Sequence, residues 1–159
     1  AMWASKLGLI TPAPELAQEL LGLMLASKLD YTIFFRPLSE IPATIEPLKA
    51  SFYAGSSDEL DGKWSSWLDR WRALLERQGD LEAASTAMKR ANPAITWREW
   101  LIAPAYEQAR EGDTTLIKEL QQVFSTPYAA PPEELSRYDQ LKPREFFNAG
   151  GVSHYSCSS

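Results

Sequence analysis

Between residues 64 and 75 a large apolar residue recurs at helical intervals: Trp64, Trp67, Leu68, Trp71, Leu74 and Leu75 stand at i, i+3, i+4, i+7, i+10 and i+11. This is one continuous stripe of 3.6-residue period, and it predicts a helix that docks by its tryptophans. Asp69, Arg70, Arg72, Glu76 and Arg77 take the opposite face, and Gly79 supplies the stop. The indoles of Trp64, Trp67 and Trp71 have two possible destinations. They form the core of this chain, or they form a contiguous apolar surface that docks on another domain or a second copy. Helical spacing weighs against a third use, a platform for stacking nucleobases.

The rest of the chain reads as further helices. Thr11 is placed to cap one entered through Pro12 and Pro14, because a first-turn proline loses no hydrogen bond. Asp30 caps a short segment whose aromatic cluster, Tyr31, Phe34 and Phe35, is interrupted at Pro37. Pro42 and Pro47 open another stretch that runs to Tyr53, and "AGSSDELDG" has the composition of a loop. After Gly79, a helix from Leu81 to Ala91 must end near Asn92, which precedes Pro93. Thr96 and Glu99 have capping-box spacing for the next helix, with Trp97, Trp100, Leu101 and Ala105 inward and a kink at Pro104. Gly112 ends it, and Asp113 caps a helix with Leu116, Ile117, Leu120, Val123 and Phe124 on its apolar face, closed by Pro127. A short helix is expected over 133–138. No strand alternation or internal repeat is visible, so the fold class is all-α, an irregular multi-helix domain. The expected organisation is a tag remnant at 1–2, one helical domain over 3–139, and an extended tail over 140–159 ending in Cys-Ser-Ser.

With 159 residues, 45% of them hydrophobic, the chain is long enough for one core, able to bury about two-thirds of its unfolded surface. No run approaches the roughly 20 uncharged apolar residues of a membrane span. The 16 basic residues are scattered among 21 acidic ones, for a net charge of -5, so neither nucleic acid nor membrane is an expected partner. The one cysteine, Cys157, cannot close a disulfide within the chain; it can reach another polypeptide or a missing part of this one.

Catalytic signatures are absent. There is no glycine-rich turn followed by Lys and Ser/Thr, no nucleophile elbow, and no Cys/His cluster at metal spacing. "DGK" (61–63) is a lone turn, "EGD" (111–113) is a helix stop with a new cap, and His154, the one histidine, has no acid nearby to orient it. No catalytic or metal residue is assigned. Cys157, near a terminus and behind Gly150 and Gly151, reads from composition either as an idle exposed residue or as a thiol accessible to partners.

Seven segments in order, "KLGL" (6–9), "DYTIFFRPLS" (30–39), "MKRANP" (88–93), "REW" (98–100), "EGD" (111–113), "TPY" (126–128) and the terminal "SCSS", resemble the C-terminal part of the selenoprotein O (SelO, YdiU) family. The "REW" spelling is nearer to eukaryotic microbial members. The resemblance implies a kinase-like pseudokinase fold that binds ATP with magnesium and transfers AMP to Ser, Thr or Tyr hydroxyls of proteins. It places the nucleotide and metal residues in a kinase-like core N-terminal to this chain, so the expected partners are that core, the protein substrates, and a homo-oligomeric contact of the fragment. It implies a mitochondrial location for a eukaryotic source and a cytoplasmic one for a bacterial source. Cys157 matches the family's terminal selenocysteine or cysteine, which is associated with a redox link to the core. Arg36, Asn92, Pro93, Arg98, Gly112, Asp113, Pro127 and Tyr128 are family-motif residues of structural or unknown role.

Overall fold

The structure, a computed structural model, describes residues 2–55 and 57–148. Among them every regular element is helical: α1 (Met2–Lys6), α2 (Pro14–Ser27), α3 (Tyr31–Leu38), α4 (Glu46–Lys49), α5 (Asp58–Gln78), α6 (Leu81–Ala91), α7 (Glu99–Arg110) and α8 (Thr115–Ser125). Two 3-10 segments follow, Glu133–Tyr138 and Arg144–Phe146, the second within residues expected to be extended. Among the described residues the only pairing of strand type is one isolated bridge between Leu29 and Phe52. The region expected as one helical domain divides into two compact units, Ala1–Pro93 and Ala94–Ser159.

The tryptophan helix organises the first unit. Trp64, Trp67 and Trp71 are each 0% exposed, and burying each ring contributes about 4–6 kcal/mol of transfer free energy. Their polar edges are satisfied as well. The indole N–H of Trp64 donates to Ser27 Oγ at 2.8 Å, that of Trp67 to the Leu16 carbonyl at 2.9 Å, and that of Trp71 to the Leu7 carbonyl at 2.9 Å. One face of α5 thus fixes both ends of α2 and the chain that leaves α1. Trp67 and Trp71 stack at 5.7 Å, while Phe34 and Phe52 pack on Trp64. These indoles make the chain's own core, which overturns the reading of the stripe as a docking surface.

α5 also starts earlier than its loop-like sequence suggests. Ser57 Oγ accepts the Leu60 N–H at 3.3 Å, and Asp58, Glu59 and Asp61 place negative charge at the positive end of the helix dipole. These contributions carry the helix through Gly62. At the far end Gly79, with φ +95°, stops it, and Asp80 caps α6 through the Ala83 N–H.

Three other expectations need correction. Thr11 is exposed and does not cap α2; Ala13 is the N-cap and makes no side-chain bond, with Pro14 pre-setting the first turn. Pro37 does not break α3, because in the last turn it removes little beyond one backbone hydrogen bond. The stretch from Pro42 to Tyr53 forms only the single turn α4, which ends as Ser51 Oγ takes up the Leu48 carbonyl at 2.6 Å.

In the second unit α7 and α8 pack as a hairpin joined through Gly112, whose φ of +95° suits glycine. Leu101, Ala105, Leu120, Val123, Leu135 and Tyr138 form its core. Thr96 is not the N-cap of α7; Arg98 takes that place without a side-chain capping bond. Trp97 does not point inward either. It is 68% exposed and stacks on Phe124 at 4.7 Å. Lying before the helix begins, it escapes the helical periodicity that had placed it with Trp100.

Candidate functional site

The motif residues gather at nodes where distant segments are tied together. In the first unit the node is Lys6. Its ammonium donates to Asn92 Oδ1 at 3.1 Å, and Asn92 Nδ2 donates back to the Lys6 carbonyl at 2.9 Å. The same ammonium sits 5.1 Å from the Tyr31 ring centroid and 5.0 Å from that of Phe35. Three segments separated by up to 86 residues, "KLGL", "DYTIFFRPLS" and "MKRANP", therefore meet around one cation. Asn92 is 1% exposed, and burial holds the Lys6 ammonium below the ordinary lysine range while pushing the Tyr31 hydroxyl up.

Several other residues of these motifs have a local task. Asp30 Oδ1 accepts the N–H groups of Thr32 and Ile33, both at 3.0 Å, and so caps α3. The Leu7 carbonyl receives Trp71, and the Gly8 carbonyl receives Gln78 Nε2 at 3.0 Å. Gly8 has φ +68°, and a Cβ there would meet Met88 Cγ at 3.1 Å, so glycine permits α1 and α6 to approach. Arg36 lies half-buried in the last turn of α3, with Nη1 buried and without a hydrogen-bond partner among the described residues. Pro93 is half-buried at the boundary between the units.

The second unit repeats the pattern. Arg98 donates through Nη1 to the Gln140 carbonyl at 2.9 Å and through Nη2 to the Tyr138 carbonyl at 3.2 Å, and its guanidinium lies 5.4 Å from the Trp100 ring centroid. The Pro127 carbonyl accepts the N–H groups of Ala94 at 2.7 Å and Ile95 at 3.3 Å, closing entry and exit of the hairpin on each other. Asp113 Oδ1 accepts the Thr115 N–H at 2.9 Å, one residue ahead of the formal N-cap Thr114, and bonding to Thr115, first from its side chain and then from its N–H, holds the carboxyl below the usual range. Gly112 makes the turn, and Tyr128 is 52% exposed. A tie with no motif signal joins the 3-10 turn to α8: Tyr138 Oη donates to Glu119 Oε2 at 2.5 Å, and Arg137 pairs with the same carboxylate. The Tyr138 bond, then the Arg137 bond, holds Glu119 below the usual carboxylate range.

These residues do not converge on a catalytic constellation. No group of three or more His, Cys, Asp or Glu that could hold a metal occurs among the described residues, and none of the described helices is long and apolar enough to cross a membrane. The acids beside motif residues act as caps and ion pairs: Asp30 and Asp113 accept backbone N–H groups, and Glu40 pairs with Lys89. Cys157 and His154 lie outside the described residues. Lys6, Glu119 and Tyr138 were missed by sequence reasoning as contact-making residues, because no local pattern reports a partner 86 or 19 positions away.

Comparison with known proteins agrees with the ordered motifs. The family model described as protein adenylyltransferase SelO matches residues 1–125. The chain is 34% identical over 149 residues to a protein nucleotidyltransferase YdiU of Thioalkalivibrio sulfidiphilus, covering 90% of this chain and 29% of that protein. Against the protein of the same name from Methylobacillus flagellatus it is 31% identical over 167 residues, covering 100% of this chain and 32% of the relative. With that of Rhizobium etli it shares 37% identity over 133 residues, 82% of this chain and 26% of the relative. The chain thus spans roughly three-tenths of the length of the curated relatives it matches. With the family model covering 125 of the 159 residues, the chain belongs to the protein adenylyltransferase SelO family.

Proposed function

We propose that the chain is the helical C-terminal region of a SelO-type pseudokinase that transfers AMP from ATP to Ser, Thr or Tyr hydroxyls of proteins, and that its own task is to brace the catalytic core and present Cys157 to it. The observation that carries this reading is the share of the match: 90–100% of this chain against 29–32% of relatives named protein nucleotidyltransferase. The architecture supports it, since the motif residues cap helices and bind segments to each other. In AMP transfer a hydroxyl oxygen bonds to the α-phosphorus as the bond to pyrophosphate breaks, and positioned phosphates with neutralised charge make that step possible. In this reading ATP and Mg²⁺ belong to the remainder of the polypeptide.

Cys157 supplies the regulatory half. A disulfide from this tail to the core would close a long chain segment and restrain its motion. The test is an adenylylation assay with ATP labelled in its α-phosphate, run on the full-length polypeptide, its Cys157→Ser variant and this chain alone. Transfer by full-length protein, none by this chain, and redox dependence lost on Cys157→Ser is the expected pattern. Clear transfer by the chain alone overturns the bracing role, and unchanged redox dependence in the variant overturns the role of Cys157.

A further inference from the structure

The unit from Ala94 onward carries an apolar groove that nothing above uses. It lies along the α7–α8 hairpin, has a volume of about 480 Å³, and is walled by Trp97, Ile102 and Tyr106 on one side and Ile117, Leu120 and Phe124 on the other. Gln121 and Ser125 are its remaining polar residues and no lining residue is charged. Trp97, Tyr106 and Ile117 are 68%, 47% and 36% exposed around this one concavity, an arrangement that marks an interaction site more often than a solvated surface.

We propose that the groove seats an uncharged, apolar segment of the catalytic part of the same polypeptide; this rests on the reading of the chain as a C-terminal region. Two observations choose that occupant. The relatives carry more than twice as much chain outside the match as inside it. The family match, residues 1–125, contains both walls of the groove. The groove therefore belongs to the part of the chain held in common with proteins that bring this additional polypeptide. Its uncharged lining selects an apolar side-chain cluster over an acidic or basic peptide.

The experiment places the photocrosslinker p-benzoylphenylalanine at position 97 or, separately, at position 117 of the full-length polypeptide, and maps the products by mass spectrometry. Position 97 is chosen because its side chain is mostly exposed, so folding is little disturbed. The expected result is crosslinks from both positions to residues preceding this chain. Crosslinks confined to this chain's own residues 1–159, crosslinks to a second copy, or none from either position overturn the proposal. AMP transfer measured on the same preparations separates the two readings: crosslinks without transfer retain the docking and refute the activity, and transfer without crosslinks does the reverse.

Discussion

Replacing Asn92 by alanine tests whether the Lys6 node holds the first unit together. The amide is 1% exposed and makes two reciprocal side-chain bonds, one from the Lys6 ammonium and one to the Lys6 carbonyl. The Asn92 backbone N–H keeps its own partner, the Met88 carbonyl at 2.8 Å, so the end of α6 is not disturbed directly. A neutral bond of this kind contributes about 1 kcal/mol, a bond to a charged group about 1.5–3 kcal/mol, and stranding the carbonyl adds to the loss. Because Lys6 is only half-buried the charged bond belongs at the low end of its range. The expected loss is then about 2–4 kcal/mol. Urea unfolding followed by fluorescence reads it, since Trp64, Trp67 and Trp71 report on the same unit. Asn92→Asp keeps the acceptor and loses the donor, and should fall between wild type and Asn92→Ala. A double-mutant cycle with Lys6→Met should give a coupling of about 1 kcal/mol. A loss below about 0.5 kcal/mol for Asn92→Ala, within the range of inert surface changes, would refute the node as a structural tie.

The same node has a pH signature. Burial lowers the folded-state pKa of Lys6 from the ordinary 10.5, so in the window below that value the unfolded chain binds more protons than the folded one. Stability should rise with pH through that window, and Lys6→Met should lose the increment. The opposite slope would mean that the ammonium gains more from Asn92 and the two rings than it loses by burial.

Further substitutions probe the other ties. Trp67→Phe leaves the Leu16 carbonyl without its indole donor and should cost about 1–3 kcal/mol by urea unfolding; no loss would show that α5 is held by apolar contact alone. Gly112→Ala meets open space at φ +95° and should cost about 1 kcal/mol, while Gly8→Ala adds the close approach to Met88 and should cost more; equal losses would refute that approach as a constraint. The lowered pKa of Glu119 means that its bond to Tyr138 contributes above 4.5 and is lost as pH falls through the folded value. Protection of the Leu135 and Asp139 amides, taken relative to the intrinsic exchange rate at each pH, should therefore fall in acid in the wild type and show no such fall in Glu119→Gln.

What could be read from sequence was what a single helix reports about itself. The stripe from Trp64 to Leu75, the stop at Gly79, the end of α6 before Pro93 and the turn at Gly112 all depend on residues within one or two turns, and all four stand in the structure. Errors arose where local composition and tertiary context disagree. "SSDELDG" has loop composition, yet three acids and a serine cap at a helix N-terminus outweigh its glycine. Trp97 fits the period of Trp100 but lies outside the helix, so extending the period across the boundary turned an exposed ring into a core residue. Thr11 is a good cap by type, but the chain turns into α2 two residues later.

The candidate site was legible as a set of residues and not as a set of contacts, and the reason is physical. An asparagine before a proline reads as a helix end, and a lysine before a leucine reads as nothing. Only the fold reveals that Asn92 closes on Lys6, that Lys6 lies over Tyr31 and Phe35, and that the Pro127 carbonyl takes the N–H groups of Ala94 and Ile95. Each of these pairs joins segments distant in sequence, so the entropy of closing the intervening chain is recovered only once the helices are packed. A chain whose motif residues are spent on such closures is rigid where they stand. The Trp97 groove differs from them: its walls are held by Leu101 and Val123 beneath and by the Trp97–Phe124 stack, while its concave face stays open. Rigid walls around an open apolar face are what a docking partner needs in order to bind without a further cost of ordering the site, so crosslinking at positions 97 and 117 puts the bracing role itself to the test.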